Sequence, residues 1–343
     1  MVVETQYKIP SMSEIKAVPK NGLKLVSTFS GAGGSCLGFT WAGFSTLYAS
    51  EFVEEARTTY QDNFPNVPVD PRDIRDVEPK EILDRIQCVP DVLEGSPPCA
   101  SFSTAGKIDK TWGLKRKYSS KVQRVDDLFF EYARILDGLQ PKAFVAENVT
   151  GLVRGSSKGY YLEIFKRLEG CGYNVQSRIL NGRWLGLPQE RQRLIFIGIR
   201  NDLKKAPKFP KPQANSFSVL DALEGVHNTP DDLKAADISK YAVMKHWRPL
   251  RPGEKSAERF NLIKVNPMMP CPTIVAQGVG SGSVTHWSEP RVFTIPELKR
   301  LSGFPDDYAL KGLFRKQWER LGRAVPPPMM KAVADSVAEV LLS

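Results

Sequence analysis

Cysteine is scarce in this chain: five residues in 343, Cys36, Cys88, Cys99, Cys171 and Cys271. The number is odd and no two are spaced as CxxC, which argues against a disulfide framework and against a structural zinc site. Histidine is scarcer still. His227, His246 and His286 lie far apart in the chain, which argues against a histidine-based metal centre. No stretch approaches the ~18 consecutive apolar residues of a membrane span. The opening MVVETQYKIPSMSEIKAVPKNG also lacks the apolar run of a signal peptide. The expected setting is therefore the reducing cytoplasm, without membrane or metal. There is no internal repeat and no low-complexity tract.

Acidic residues are in deficit. Lys and Arg number 48 against 38 Asp and Glu, a formal net charge of +10. An excess of that size favours polyanionic partners, nucleic acid or an anionic surface. The remaining composition, 41% hydrophobic and 25% charged, is that of an ordinary globular protein, so the charge is not a sign of disorder. A chain of this length suits two domains, or one large domain carrying a smaller insertion.

Residues 1–22 read as an extended arm. LKLVSTF (23–29) is apolar and β-branched and ends in a glycine-rich turn, which predicts a buried strand. A helix-like stretch follows, then strands at TLYASEF (46–52), DVLEG (91–95), AFVAENV (143–149) and LIFIGIR (194–200). EEARTTYQDNF is helical in pattern, and Leu128, Tyr132, Ile135 and Leu139 share one helical face. Such alternation predicts an α/β fold with a mostly parallel sheet, whose ligands bind beyond the carboxyl ends of the strands. From about residue 201 the texture changes. KKAPKFPKPQANS marks a boundary, and 203–290 is irregular. Helical signals return at FTIPELKRLSGF and in the closing PPPMMKAVADSVAEVLL. The expected division is a catalytic domain at 1–200 and 291–343 and a second domain at 201–290.

The polar motifs fall near the ends of predicted strands, PQERQR just before one. FSGAGG (29–34) offers glycines for close backbone approach and free N–H groups at a helix start. It is neither the dinucleotide GxGxxG nor a phosphate-binding P-loop. Glu51, about 20 residues on, stands where an acidic side chain commonly holds ribose hydroxyls. Asp73, in DIRDV, could reach an adenine amine. Together these point to a nucleoside-containing cofactor. GSPPCASFS (95–103) places Cys99 after two prolines, which present a thiol on a rigid turn instead of packing it in an apolar run. The following loop holds Lys107, Lys110, Lys115, Arg116, Lys117, Lys121 and Arg124 against one acid, Asp109, as suits closure on a phosphate backbone. AENV (146–149) sets Glu147 at a strand end, where a carboxyl group could serve a substrate ring nitrogen. PQERQR (188–193) adds Arg191 and Arg193, which alternate and could share one face of a strand.

Taken in order, FSGAGG, ASEF, DIRD, GSPPCASFS, AENV, PQERQR, PELKRLSGFPDDY and GRAVPP resemble the ordered motifs of the DNA cytosine-5 methyltransferase family. The resemblance covers about residues 23–200 and 290–343. It implies a class I, Rossmann-like methyltransferase domain using S-adenosylmethionine, with a small target-recognition domain at 201–290. By the resemblance, Phe29, Gly31 and Gly33 line the cofactor, Glu51 binds its ribose and Asp73 its adenine. Phe52, Ile74, Pro97, Arg323 and Val325 stand beside them. Cys99 is the nucleophile, Glu147 the N3 partner and Arg193 a holder of the flipped base, with Arg191 and Gln189 organising that strand end. Ser101, Lys107, Arg116, Lys117 and Arg124 face the DNA. The expected partner is double-stranded DNA, the expected state a monomer and the expected setting restriction–modification. RNA cytosine or uracil C5 methylation is the competing class.

Two departures from the family pattern bear on chemistry. Arg183 and Trp184 in NGRWLGLPQ replace residues that are usually small or acidic. Arg323 stands where the family has Asn, in GRAV for GNAV. A guanidinium can pair bidentately with a carboxylate. One expectation is therefore carboxymethyl transfer from carboxy-S-adenosylmethionine. The other is that Arg323 contacts a phosphate or an acidic side chain and the enzyme methylates.

Overall fold

The computed structural model describes residues 6–98, 127–154, 157–259, 262–278 and 283–343, with the backbone alone of 116–118 and 121–123. The chain opens with a short helix, α1 (Met12–Ala17). Strands and helices then alternate: β1 (Lys24–Thr28), α2 (Gly34–Trp41), β2 (Ser45–Ser50), α3 (Glu54–Asn63), β3 (Val69–Asp70), α4 (Pro79–Ile86) and β4 (Val92–Gly95). The short strands β5 (Arg116–Tyr118) and β6 (Lys121–Gln123) pair as a hairpin. After them come α5 (Leu128–Leu139), β7 (Ala143–Asn148), α6 (Lys158–Gly170), β8 (Tyr173–Asn181), β9 (Gln189–Glu190) and β10 (Gln192–Arg200). Short elements follow: α7 (Val219–Leu223), α8 (Pro230–Ala236), α9 (Met244–Trp247), β11 (Ile263–Lys264), β12 (Cys271–Pro272) and β13 (Val284–Thr285). The chain closes with α10 (Ile295–Leu301), α11 (Phe314–Arg323) and α12 (Pro327–Leu342).

Two compact units emerge. The first comprises Val18–Leu180, Gln192–Pro210 and Lys331–Ser343. Its seven-stranded sheet has the order β3-β2-β1-β4-β7-β10-β8. The pairs β3–β2, β2–β1, β1–β4 and β4–β7 are parallel, so these five strands end at one edge. The order reverses between β1 and β4, where ligands of open α/β sheets bind. β10 runs antiparallel to β7, which returns its first residues to that same edge.

The strands expected from apolar runs are present because those runs are buried. β7 is buried throughout. α5 buries the expected stripe Leu128, Tyr132, Ile135 and Leu139, and the Tyr132 hydroxyl donates to the carbonyls of Leu93 and Val145. The strand β8 is absent from the sequence reading. It lies at the sheet edge and buries little beyond Tyr173 and Val175, so no apolar alternation marks it.

The second unit comprises Met1–Ala17, Asn181–Arg191 and Lys211–Met330. Its division differs from the expected 201–290, because 1–17, 181–191 and 291–330 group with it and 201–210 does not. The reason lies in buried side chains of the PQERQR segment. Gln189 donates to the carbonyl of Leu301, and Arg191 donates to those of Ile274, Gly322 and Ala324. The expected extended arm is also corrected, since it contains α1. Ser11 and Glu14 form a reciprocal cap, the Ser11 amide donating to the Glu14 carboxylate and the Glu14 amide to the Ser11 hydroxyl. The Tyr7 hydroxyl donates to the carbonyl of Arg300 and the Met12 amide to the Asp307 carboxylate.

Gly198 on β10 faces Phe144 on β7, and a Cβ built there would lie 2.0 Å from the ring. Gly198→Ala is expected to destabilise the sheet unit by about 2 kcal/mol through overpacking. Urea unfolding measures this, and an unchanged midpoint would contradict the packing described.

Candidate active site

The turn after β1 departs from ordinary backbone. Phe29 has φ 52, Gly31 φ 56 and Gly33 φ 87. A non-glycine residue in the left-handed region is a local strain of the kind found at functional sites. The space beside Gly31 is open, with no atom within 4 Å of an added Cβ. Glu51, one residue past β2, closes the turn from the side: its carboxylate accepts the amides of Gly31 and Val53, each at 2.7 Å. Burial pushes the Glu51 carboxyl up, against the downward pull of the Val53 and Gly31 amides and the Arg57 charge. Phe52 is half-buried beside it and Ile74 is buried. Asp73 caps the short turn that follows, accepting the Arg75 amide, and its carboxylate pairs with the Arg75 guanidinium at 2.9 Å.

These residues fit a nucleoside cofactor. The turn leaves open space where backbone approach is required, and Glu51 and Asp73 are fixed carboxylates with acceptor capacity beyond the bonds they make. Both follow strands on the side of the sheet occupied by β2 and β3.

The sharpest geometry lies at the ends of β7 and β10. Because the two strands are antiparallel, Ile195 pairs with Glu147, and Arg193 stands at the sheet edge beside it. Arg193 Nε meets Glu147 Oε1 at 2.6 Å, with side chains only 14% and 11% exposed. A charge-assisted bond this short and this sheltered fixes the carboxyl orientation. Arg193 also donates to the carbonyl of Gln192. Next to Glu147, the Asn148 amide group donates to the carbonyl of Pro97 at 3.2 Å. That bond joins β7 to the turn Ser96-Pro97-Pro98 that leads to Cys99. Cys99 itself, Ser101, Lys107 and Arg124, and the side chains of Arg116 and Lys117, lie outside the described residues.

Arg191 does not share a strand face with Arg193. The ladder breaks at residue 191, between β9 and β10, where the Arg191 amide donates to the carbonyl of Gln189. Alternation therefore does not carry across it. The Arg191 side chain is 2% exposed and committed to three main-chain carbonyls at 2.8–2.9 Å, so it positions backbone. Arg323, the last residue of α11, pairs with Glu319 one turn earlier at 3.0 Å. Val325 is buried two residues on. Arg183 stacks over Trp184, 4.4 Å from the ring centroid, and pairs with Glu190, which gives this departure a structural account.

One buried group escaped the sequence reading. Glu94 sits inside β4, 2% exposed, and accepts bonds from Ser27, Ser35 and Cys36. Its signal was a carboxylate within the short strand VLEG, where its neighbours are apolar or glycine.

Among the described residues no cluster of His, Cys, Asp and Glu could hold a metal ion, and no helix is long and apolar enough to cross a membrane. The chain matches a prophage-encoded E. coli protein described as a DNA modification methyltransferase over 94% of its length and 100% of that chain, with TM-score 0.77 and 22% identity. It matches Spodoptera frugiperda DNMT2 over 92% of its length and 99% of that chain, with TM-score 0.69 and 18% identity. The fold is thus that of the Rossmann-like methyltransferases. The profile of the C-5 cytosine-specific DNA methylases matches residues 23–339, and the chain belongs to this family. It is 31% identical to the type II methyltransferase M1.HphI of Haemophilus parahaemolyticus, over 93% of this chain and 87% of that one. It is 30% identical to M.NgoFVII of Neisseria gonorrhoeae over the same shares.

Arg191→Ala would leave three buried carbonyls without their donor, at about 1–3 kcal/mol each. The variant is expected to melt well below the parent, and Arg191→Lys, lacking the planar fork, to recover little of the loss. A thermal scan of both variants tests this, and a neutral Arg191→Ala would refute the positioning role.

Proposed function

We propose that the protein transfers a methyl group from S-adenosylmethionine to C5 of a cytosine flipped out of double-stranded DNA, as a type II modification enzyme. The observation that carries this is the sheltered Glu147–Arg193 pair, held beside the turn that leads in sequence to Cys99. When bound, the cofactor supplies an electrophilic methyl group. Phe29, Gly31, Gly33, Glu51, Phe52, Asp73, Ile74 and Pro97 are the residues proposed to hold it.

Cytosine C5 is a poor nucleophile, and the residues address that directly. The Cys99 thiolate adds to C6 while a proton held at Glu147 is delivered to N3. The ring electrons then concentrate at C5, which takes the methyl group. Loss of the C5 proton to a base, departure of the Cys99 thiolate from C6 and return of the N3 proton to Glu147 restore the aromatic ring and the enzyme. Arg193 keeps the Glu147 carboxyl aimed at the base edge. C6 is unreachable within a base stack, so the base leaves the helix. The basic loop with Ser101, Lys107, Arg116, Lys117 and Arg124 contributes phosphate affinity, and the net charge adds to it. The irregular segment 201–290 reads the target.

The Arg323–Glu319 pair favours methyl over carboxymethyl transfer, because the guanidinium has an acidic partner within its own helix. Two measurements test the reading. A DNA duplex carrying 5-fluorocytosine is expected to trap a covalent complex through Cys99, since fluorine cannot leave C5 as a proton does. Cys99→Ser is expected to abolish the trap, and trapping on RNA alone would replace DNA as substrate. Nucleoside mass spectrometry of treated DNA is expected to give 5-methylcytosine with S-adenosylmethionine, unchanged by Arg323→Asn. 5-Carboxymethylcytosine formed preferentially from the carboxylated cofactor would overturn the choice of group.

A further inference from the structure

Glu94 has no part in the reaction just described, yet it is placed with care. On β4 it lies opposite Ser27 of β1 in the parallel register. One carboxylate oxygen accepts from the Ser27 hydroxyl and, at 3.4 Å, from the Cys36 thiol. The other accepts from the Ser35 hydroxyl at 2.7 Å. Ser27 is in turn 2.7 Å from the hydroxyl of Ser30, inside the glycine-rich turn. One carboxylate thus ties the strand that leads to Cys99 to the strand and helix on either side of the turn.

All three donors are neutral, and among the described residues no cation pairs with Glu94. A buried carboxylate normally has a cationic partner, because hydrogen bonds alone offset its desolvation incompletely. Burial pushes the Glu94 carboxyl up while the Ser27, Ser35 and Cys36 bonds pull it down, and the group reaches the turn assigned to the methyl donor through Ser27 and Ser30. We propose that Glu94 is the electrostatic counterpart of the donor's sulfonium, so that the site holds the charged donor in preference to the neutral thioether left after transfer. The inference rests on the methyl-donor reading above. Donor and product differ by one methyl group and one positive charge. A neutral turn binds both about equally, whereas a fixed negative charge in a low-dielectric surrounding favours the donor alone. Unit charges ~10 Å apart at an effective dielectric near ~20 change affinity by about tenfold, which sets the effect to look for. The same bias releases spent cofactor.

Calorimetric titration of S-adenosylmethionine and S-adenosylhomocysteine into the full-length protein tests the proposal. Glu94→Gln is expected to weaken the sulfonium ligand about tenfold and the thioether less than about twofold. Glu94→Asp keeps the charge and is expected to keep the preference, even if both affinities fall. Equal weakening of both ligands by Glu94→Gln, or no weakening, would show that Glu94 only packs the turn. Failure of the parent to bind either ligand would overturn the methyl-donor reading itself.

Should Glu94→Gln not fold, the preference is measured between about pH 8 and about pH 5 on a Glu147→Gln background. That substitution removes the carboxyl facing Glu94 from β7. Cys36 on α2 and Tyr132 on α5, the other titratable groups facing it, are held protonated by burial across that range. Burial pushes up both the Glu94 carboxyl and that of Glu51 beside the same turn, so the loss of preference on acidification is compared with that of Glu94→Asp. A midpoint that moves with this substitution assigns the loss to residue 94, and a constant preference or an unmoved midpoint would overturn the proposal. The amino and carboxyl groups common to both ligands cancel in the ratio.

Discussion

The antiparallel pairing of β10 with β7 is the constraint on which the site depends. Five parallel strands already deliver their carboxyl ends to one edge of the sheet. A sixth strand in the same direction would bring only its own carboxyl end there, and Arg193 would lie at the far edge. Reversed, β10 begins where β7 ends, and a residue from its amino end meets Glu147 at 2.6 Å. The pairing also requires close contact at its middle, where Gly198 accommodates the ring of Phe144. The glycine that lets the strands approach and the arginine that uses the approach are five residues apart on one strand.

The two arginines of PQERQR show how local geometry divides labour between residues that look equivalent. Both carry the same charge, and strict alternation would place both in the site. The break in the ladder at residue 191 separates them. Arg193 finds a carboxylate, while Arg191 is buried with three carbonyls. A buried guanidinium whose terminal nitrogens meet three main-chain carbonyls has much of its desolvation offset, which explains why so costly a charge is tolerated there.

Much of the sheet unit was legible because its strands are continuous apolar runs and its helices carry clean stripes: β1, β2, β4, β7, β10 and α5 all follow from pattern. Glu51 and Glu147 were legible because they sit at the ends of such runs, and Asp73 by its place in DIRDV. What failed was pattern that burial does not write. β8 is a half-exposed edge strand, and its polar sequence carries no alternation. α1 is too short for periodicity, and its only mark is the Ser11–Glu14 cap. The grouping of 181–191 and 291–330 with the second unit rests on bonds such as Arg191 to Gly322, separated by 131 residues, which no local window contains. Glu94 was missed because a single acid in an apolar strand reads as noise until its three donors are seen.

Those buried acids, taken together, give the charge distribution a direction. The chain carries a net +10, yet Glu51, Glu94 and Glu147, on or just past β2, β4 and β7, are all nearly inaccessible. They flank the point where the strand order reverses, and among the described residues only Glu147 forms an ion pair, with Arg193. Excess positive charge outside attracts a polyanion at long range, where salt screens it. The carboxyls within act over a few ångströms, in a medium that water and salt screen far less, and burial pushes those of Glu51 and Glu94 up. One chain can thus favour an anionic macromolecule at its surface and a small cation at its sheet edge, because the two attractions operate at different depths and do not cancel.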